Sequence, residues 1–141
     1  MTYQELKQKR QQQINDFPMM FAFSKTQFEE GLVKLGCEAS DLCSIGAGSF
    51  MRKGDKPRFD RMWNKQEADF AAAMQDDDLL RDAIKYELGN HEFCITYDPT
   101  DTLRALGITL DDERTKRIFT EAKKTYLEEW RKFDDAQRAS A

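Results

Sequence analysis

The sequence predicts an α+β fold that is mainly helical, with five or six helices around a small antiparallel sheet of two or three strands. Apolar residues recur at helical spacing in three long segments, which are 58–74, 79–88 and 118–133. Two shorter runs, residues 19–23 and 91–97, are apolar or rich in residues that favour strands. Helices should therefore dominate, and the few strand-like runs can build only a small sheet.

The composition is typical of one globular domain. The chain has 141 residues, of which 40% are apolar and 11% aromatic, so we predict a single domain over residues 1–141. No apolar run approaches the roughly 20 residues that cross a bilayer, and the polar N-terminus lacks the apolar stretch of a secretory signal. Because three cysteines at irregular spacing fit reduced thiols, we expect a cytoplasmic protein without membrane contact.

The first element is predicted to be a polar, Gln-rich helix. Thr2 and Glu5 form a capping box at its start. Few of its positions are apolar, so we expect residues 1–16 to form a peripheral helix that a partner could contact. The apolar run 19–23 then predicts a buried strand or a core-anchoring extended segment.

The next elements are a second helix and a hairpin. Ser24 and Gln27 form another capping box, and Gly36 fits the C-terminal end of the helix that follows. Residues 45–51 predict a strand with a glycine bulge or one limb of a hairpin, and residues 52–57 a basic turn.

The third helix along the chain is predicted to cover residues 58–74. Asp76 or Asp77 caps a fourth helix, which we expect to end at Gly89 and Asn90. Residues 91–97 then predict a strand, because residues that favour strands alternate loosely there.

The C-terminal segment is predicted to be helical. Residues 100–106 form a short helix closed by Gly107, and the segment 109–112 caps the last helix. The apolar stripe 118–133 docks this helix along the core, and we expect residues 134–141 to fray.

The densest polar cluster surrounds His91, the only histidine, which any imidazole chemistry must use. Its potential partners around a ligand or a divalent ion are Glu87, Asn90, Glu92 and Asp98. The metal motif HExxH is incomplete, because Ile95 stands at the second histidine position. We also expect Gly89 to end the helix between Glu87 and His91. A structural role is therefore favoured, with Asn90 in a left-handed conformation, and a metal- or ligand-dependent enzyme is the alternative.

A glycine-containing segment is a second candidate site. Gly46, Gly48 and Ser49 are similar to the start of a loop that binds phosphate through backbone N–H groups. The GxGxxG pattern is incomplete, because Met51 stands where its third glycine belongs. A structural turn is favoured, and contact with an anionic ligand is the alternative.

A basic segment follows the glycines, with aromatic residues interleaved. Its basic residues are Arg52, Lys53, Lys56, Arg58 and Arg61. Basic and aromatic side chains together can bind single-stranded nucleic acid. The net charge of −4 opposes this function, so a solvated turn is favoured, with Phe59 and Trp63 pointing into the core.

No catalytic, metal or cofactor motif is complete in the chain, so we predict no cofactor and no metal, and we favour a non-catalytic role over an enzyme. The partner that we expect is another protein, and a homodimer also fits the thinly apolar first helix. Binding of nucleic acid through residues 52–61 is the second alternative to this function.

Several sequence blocks resemble a family of small proteins with a domain of unknown function, found in gut bacteria and their phages or mobile elements. The blocks are 21–31, 46–53, the Y-E-L-x-N-H-E pattern at 86–92, and 97–107. The resemblance implies one domain and a phage or mobile-element setting, in which small proteins often act as adaptors or inhibitors. It also singles out residues for testing, namely Gly46, Gly48, Asn90, His91 and Glu92.

Overall fold

The computed structural model describes residues 1–140, which form seven α-helices and three β-strands. The helices are α1 (Tyr3–Asn15), α2 (Lys25–Leu35), α3 (Lys56–Ala73), α4 (Asp77–Asn90), α5 (Phe93–Thr96), α6 (Thr100–Leu106) and α7 (Glu113–Ala139). The strands are β1 (Met20–Phe21), β2 (Leu42–Gly46) and β3 (Ser49–Arg52). The predicted α+β class, mainly helical with a small antiparallel sheet, is confirmed.

The chain divides into two compact units. Unit 1 comprises residues 1–7 and 70–140 of the described chain, and unit 2 comprises Gln8–Asp69. The single domain inferred from the sequence stays a prediction. No helix within residues 1–140 is both long and apolar enough to span a membrane.

The sheet of unit 2 is antiparallel, in the order β1-β3-β2. Ala47 and Gly48 connect β2 to β3 and have φ angles of 52° and 74°. Two positive φ values at these positions are what a tight type I′ hairpin turn requires. Ile45 is the extra residue of a bulge, because Ser44 faces Phe50 while Gly46 faces Ser49. A turn at the glycines is thus present, but residues 45–51 are neither a single strand with a glycine bulge nor one limb of a hairpin, because they contain the turn and parts of both limbs.

Both faces of the sheet are covered by apolar side chains. Met20 and Leu42 pack with Leu35 of α2 on one face. Met19 and Met51 pack on the other face, together with residues of α3 and with Phe17, which follows α1. Alternate strand residues point to opposite faces, so adjacent methionines 19 and 20 belong to different clusters.

The ends of α2 match the sequence. Ser24 accepts the N–H of Gln27, and Gly36 ends the helix in a left-handed conformation with φ 64°. The prediction that the run 19–23 is buried is wrong in part. Phe21 is 60% exposed and Phe23 is 77% exposed. Because β1 lies at the edge of the sheet, only one strand flanks these side chains.

Unit 1 is built around α4 and α7, which run parallel. Three ion pairs connect the two helices, and residue numbers increase in the same direction on both: Asp77–Arg114, Arg81–Glu121 and Lys85–Glu129. Between them lies the larger apolar core, which includes Leu80, Ile84, Leu88, Ile118 and Ala122. Asp76 and Asp112 cap the two helices, as the sequence predicts. Helix α7 is helical through Ala139, and the fraying of residues 134–141 stays a prediction.

The predicted strand at 91–97 is wrong. The segment contains α5, a single helical turn, in which Tyr97 donates its N–H to the carbonyl of Phe93. Glu92 and Tyr97 flank the turn, and both have a φ of 54°. Phe93 is buried in the core of unit 1, and that packing outweighs the local preference of the sequence for strand.

Candidate functional site

The predicted polar cluster is centred on the buried carboxylate of Glu87. Its side chain is only 2% exposed. Oε1 accepts hydrogen bonds from the hydroxyl of Tyr3 at 2.7 Å and from Nζ of Lys7 at 3.0 Å. Oε2 accepts one from Nδ2 of Asn90 at 3.2 Å. Both carboxylate oxygens are therefore occupied by donors from α1 and α4.

His91 reaches the same carboxylate. Helix α4 ends at Asn90, within the predicted end at Gly89 and Asn90, but it does not break at Gly89 between Glu87 and His91 as we expected. Helix α4 continues through Gly89, and His91 donates its N–H to the carbonyl of Glu87. Residues four apart lie on one helical face, and Nε2 of His91 is 3.2 Å from Oε2 of Glu87. The two atoms are close but not aligned for a hydrogen bond, since Nε2 has no hydrogen-bond partner in the described residues.

The left-handed residue at the end of α4 is Glu92, not Asn90 as predicted. Glu92 has a φ of 54°, whereas Asn90 is helical and points its amide at Glu87. The helical conformation of Asn90 has a physical reason. It places the side-chain amide one turn from Glu87, where Nδ2 donates a hydrogen bond to the buried carboxylate.

The first turns of α1 supply the other half of the cluster. The N–H of Tyr3 donates to Oδ2 of Asp82 at 2.8 Å, and its ring packs edge-on against Tyr86 with centroids 5.4 Å apart. Nζ of Lys7 lies 5.0 Å from the centroid of the Tyr86 ring, within cation–π distance. Tyr3 and Leu6 are buried in the core of unit 1. The start of α1 is thus anchored.

The electrostatics of the cluster favour an ionised Glu87. Burial raises the pKa of Glu87, but hydrogen bonds from Tyr3, Lys7 and Asn90 oppose it, and the pKa is lowered overall. A carboxylate that stays ionised and has all its oxygens bonded is poorly suited to general acid–base chemistry, which needs a pKa near the working pH.

Two of the predicted partners lie outside the cluster. Glu92 is exposed, and Asp98 accepts hydrogen bonds from Thr100, which lower the pKa of Asp98. In the part of the chain that the structure describes, no three His, Cys, Asp or Glu side chains are grouped so that they could hold a metal ion. The sequence did not reveal Tyr3 and Lys7, because they are 84 and 80 positions from Glu87 along the chain and no local pattern pairs them.

The glycine segment is a hairpin turn in this structure. Gly46, Ala47 and Gly48 all have positive φ angles. A Cβ atom at Gly48 would lie 2.5 Å from Cε1 of Phe23, so the ring packs directly on the turn. Ser49 donates its hydroxyl to the carbonyl of Gly46 within the turn. The turn geometry explains both glycines; contact with an anion stays a prediction.

The basic segment carries its own neutralising acids. Arg52 and Arg58 lie 2.8 Å and 3.6 Å from the carboxylate of Asp55. Lys56 pairs with Asp60 at 2.5 Å. The two remaining members, Lys53 and Arg61, are exposed.

The aromatic residues of the basic segment differ from the prediction in one respect. Phe59 packs edge-on against Phe17, as expected of a core residue. Trp63 is exposed and stacks on Phe59 instead of pointing into the core.

A site that the sequence analysis missed lies on unit 2 around β1. We call it the Phe21 surface, and it consists of Phe21, Phe23, Gln27, Glu30 and Lys34. Two cavities of about 560 Å³ and 350 Å³ share Met20, Phe21 and Lys34 in their walls. Phe21 and Phe23 alternate with Met20 and Ala22, but all four residues are apolar, so the sequence predicts only a buried strand or a core-anchoring extended segment there.

Comparison with other proteins places the chain in a family. No curated protein and no solved structure gives a significant match. A family of unknown function does match, and it covers residues 2–129, which include the Glu87 cluster and the Phe21 surface. Since this match spans most of the sequence, the chain belongs to the family of unknown function DUF7659.

Proposed function

We propose that the protein is a non-catalytic module that binds another protein through the Phe21 surface. The observation that carries this proposal is the exposure of two aromatic rings, Phe21 at 60% and Phe23 at 77%, beside two cavities. Large exposed apolar side chains grouped next to a concavity mark interaction sites more often than solvated surface.

The geometry of Phe23 supports binding without rearrangement. Its N–H donates to Oε1 of Gln27 at 2.8 Å, and its ring rests on Gly48 of the hairpin turn. Ala22 also donates its N–H to the carbonyl of Gly48 at 2.8 Å. These hydrogen bonds fix the backbone at Phe23 and the contact with Gly48 supports its ring, so the segment loses little conformational freedom on binding and more of the contact energy becomes affinity.

The chemistry of the surface suggests the kind of partner. Phe21 and Phe23 fit aromatic or aliphatic side chains that would otherwise be exposed. Lys34 lines both cavities and forms no ion pair within residues 1–140. We therefore infer a partner segment in which an apolar side chain stands next to a carboxylate that pairs with Lys34.

The anchored first helix argues for this surface over the one suggested by the sequence. Residues 1–16 were expected to contact a partner, but Tyr3 and Leu6 belong to the core of unit 1. Deletion of residues 1–16 would therefore mainly lower the stability of unit 1, and a loss of partner binding in that variant would not identify the interface. An adaptor or inhibitor role, a bacterial or phage setting and a cytoplasmic location complete the proposal; the three cysteines and the sequence resemblance suggest them.

The proposal can be tested by capture of partners from a lysate of the source cells. Tagged wild-type protein is compared with a Phe21→Ser, Phe23→Ser double variant, and nuclease is added to remove contacts through nucleic acid. We expect a stoichiometric protein with the wild type, and a loss of capture of at least about tenfold with the double variant.

The matched control is Ile95→Ser, which removes a comparably exposed apolar side chain from unit 1. It should capture the partner as the wild type does. Equal capture by the wild type and the double variant would exclude the Phe21 surface as the interface. A partner lost with nuclease would instead favour the nucleic-acid alternative.

A further inference from the structure

The two edges of the sheet in unit 2 differ in how they are protected. β1 is two residues long, follows Pro18 closely, and has the N–H of Phe23 covered by Gln27. Short length, nearby proline and side-chain cover are devices that prevent an edge strand from pairing with another chain. β2, at the opposite edge, is five residues long and contains neither proline nor charge. Its bulge at Ile45 and the hydrogen bond from the N–H of Gly46 to Oγ of Ser44 protect only its C-terminal end, and the backbone N–H and carbonyl of Ser44 itself have no such cover within residues 1–140.

The direction of the backbone groups on β2 follows from the register. The N–H of Ala22 bonds to the carbonyl of Gly48, so Phe50, two residues further on, also points its backbone groups toward β1. Phe50 faces Ser44 across the β3–β2 pair. Since Phe50 turns its polar groups away from β2, Ser44 points its N–H and carbonyl to the open edge.

Ser44 is available at that edge. Its side chain is exposed, and within residues 1–140 no backbone group outside the sheet bonds to its N–H or carbonyl. An exposed pair of backbone donor and acceptor on an uncharged strand is suited to adding a further strand.

A second copy of the same strand fits this edge electrostatically. In an antiparallel pair centred on Ser44, each copy supplies one N–H and one carbonyl to the other. The nearest charged residue, Asp41, then falls opposite the uncharged turn at Ala47 and Gly48 of the other copy. Like charges placed opposite each other destabilise a strand pair, and this arrangement has none.

We propose that the protein forms a two-fold dimer through β2, with Ser44 of one copy paired with Ser44 of the other. A contact that uses the same residues on both copies closes on itself, as in most soluble homodimers. The two sheets become one continuous sheet with a β1 strand at each end. The dimer therefore carries two Phe21 surfaces and can bind two partner segments at once.

Charge reversal at position 44 tests the pairing. Sedimentation velocity over a concentration series compares wild type, Ser44→Lys, Ser44→Glu and an equimolar mixture of the two variants. We expect a concentration-dependent dimer for the wild type and a dissociation constant at least about fivefold higher for either variant alone. The mixture should recover the dimer, because opposite charges then meet.

Thr109→Lys serves as the control, since it adds the same charge at an exposed position of unit 1. In addition, the amide of wild-type Ser44 should exchange hydrogen more slowly at high protein concentration than at low. A wild type that stays monomeric throughout, or a dimer that both variants preserve, overturns the proposal. Ser44→Lys should still capture the partner, because the Phe21 surface is intact in that variant. This measurement therefore distinguishes a failure of the dimer proposal from a failure of the partner-binding proposal.

Discussion

Replacing Glu87 with glutamine should destabilise unit 1, because it removes a buried charge on which three donors converge. The substitution keeps the size and shape of the side chain. The amide oxygen can still accept the hydroxyl of Tyr3, which lies 2.7 Å from Oε1. The new NH₂ group, however, meets the Nδ2 donor of Asn90, and the charge that pairs with Lys7 is lost.

The magnitude follows from these contacts. Hydrogen bonds to a buried charged group contribute about 1.5–3 kcal/mol each, and breaking a buried pair costs more. Lys7 is 41% exposed, so water compensates for part of its lost partner. We expect a net loss of about 2–3 kcal/mol in the free energy of unfolding. For a chain of this length, that corresponds to a melting temperature lower by roughly 6–10 °C.

The effect should depend on pH in one direction. The pKa of Glu87 in the folded protein is lowered from its ordinary value of 4.5. A lowered folded-state pKa means that the ionised carboxylate stabilises the fold fully above the unfolded pKa. That contribution is lost as the pH falls through the lower, folded-state pKa. The difference between wild type and Glu87→Gln should thus be constant near neutral pH and shrink below about pH 4.

Urea unfolding followed by far-UV circular dichroism measures this difference. Glu128→Gln, on the exposed side of α7, is the matched control and should change stability by less than about 0.5 kcal/mol. A double-mutant cycle with Tyr3→Phe would isolate the coupling between the two side chains. Equal stability of Glu87→Gln and wild type at neutral pH would refute the view that the cluster holds α1 in place.

Three further changes test local features. Glu92→Gly should stabilise the protein by up to about 1 kcal/mol in urea unfolding, because glycine adopts the left-handed backbone without strain; a destabilised variant would contradict this. Gly48→Ala should cost about 1–2 kcal/mol and weaken partner capture, since the new Cβ meets the ring of Phe23; unchanged capture would argue against that contact. Ser24→Ala should cost about 1 kcal/mol by removing the cap that accepts the N–H of Gln27, whereas an unaltered melting temperature would show that the cap is dispensable.

The helices and their caps could be predicted from the sequence because their signals are local. Ser24, Asp76 and Asp112 each stand next to the backbone group that they bond, so a short window of sequence contains the whole interaction. The turn at Gly46 and Gly48 was predictable for the same reason, since glycine marks positions of positive φ.

The segment 91–97 could not be predicted because a distant contact decides its conformation. Its residues favour strands, yet Phe93 is drawn into the core, and the N–H of Cys94 is bonded to the hydroxyl of Tyr126 at 3.1 Å. The turn also needs Glu92 in a left-handed conformation, which glutamate rarely adopts and which no residue in the segment signals.

The candidate site was recovered in part. Glu87, Asn90 and His91 lie within one turn of α4, so their proximity follows from helical spacing once the helix is extended past Gly89. Tyr3 and Lys7 join them through a contact across the chain that no spacing rule reveals. The Phe21 surface was missed because an apolar run does not show which of its members an edge strand leaves exposed.

The division of unit 1 into two separate stretches of chain has a consequence for biosynthesis. Tyr3 leaves the ribosome 84 positions before its partner Glu87. Gln8–Asp69 form a contiguous stretch, so unit 2 can complete its core while the ribosome is still adding the helices of unit 1. Residues 1–7 can join unit 1 only after α4 has been synthesised, and until then the polar, Gln-rich turns of α1 that follow them present little apolar surface for aggregation.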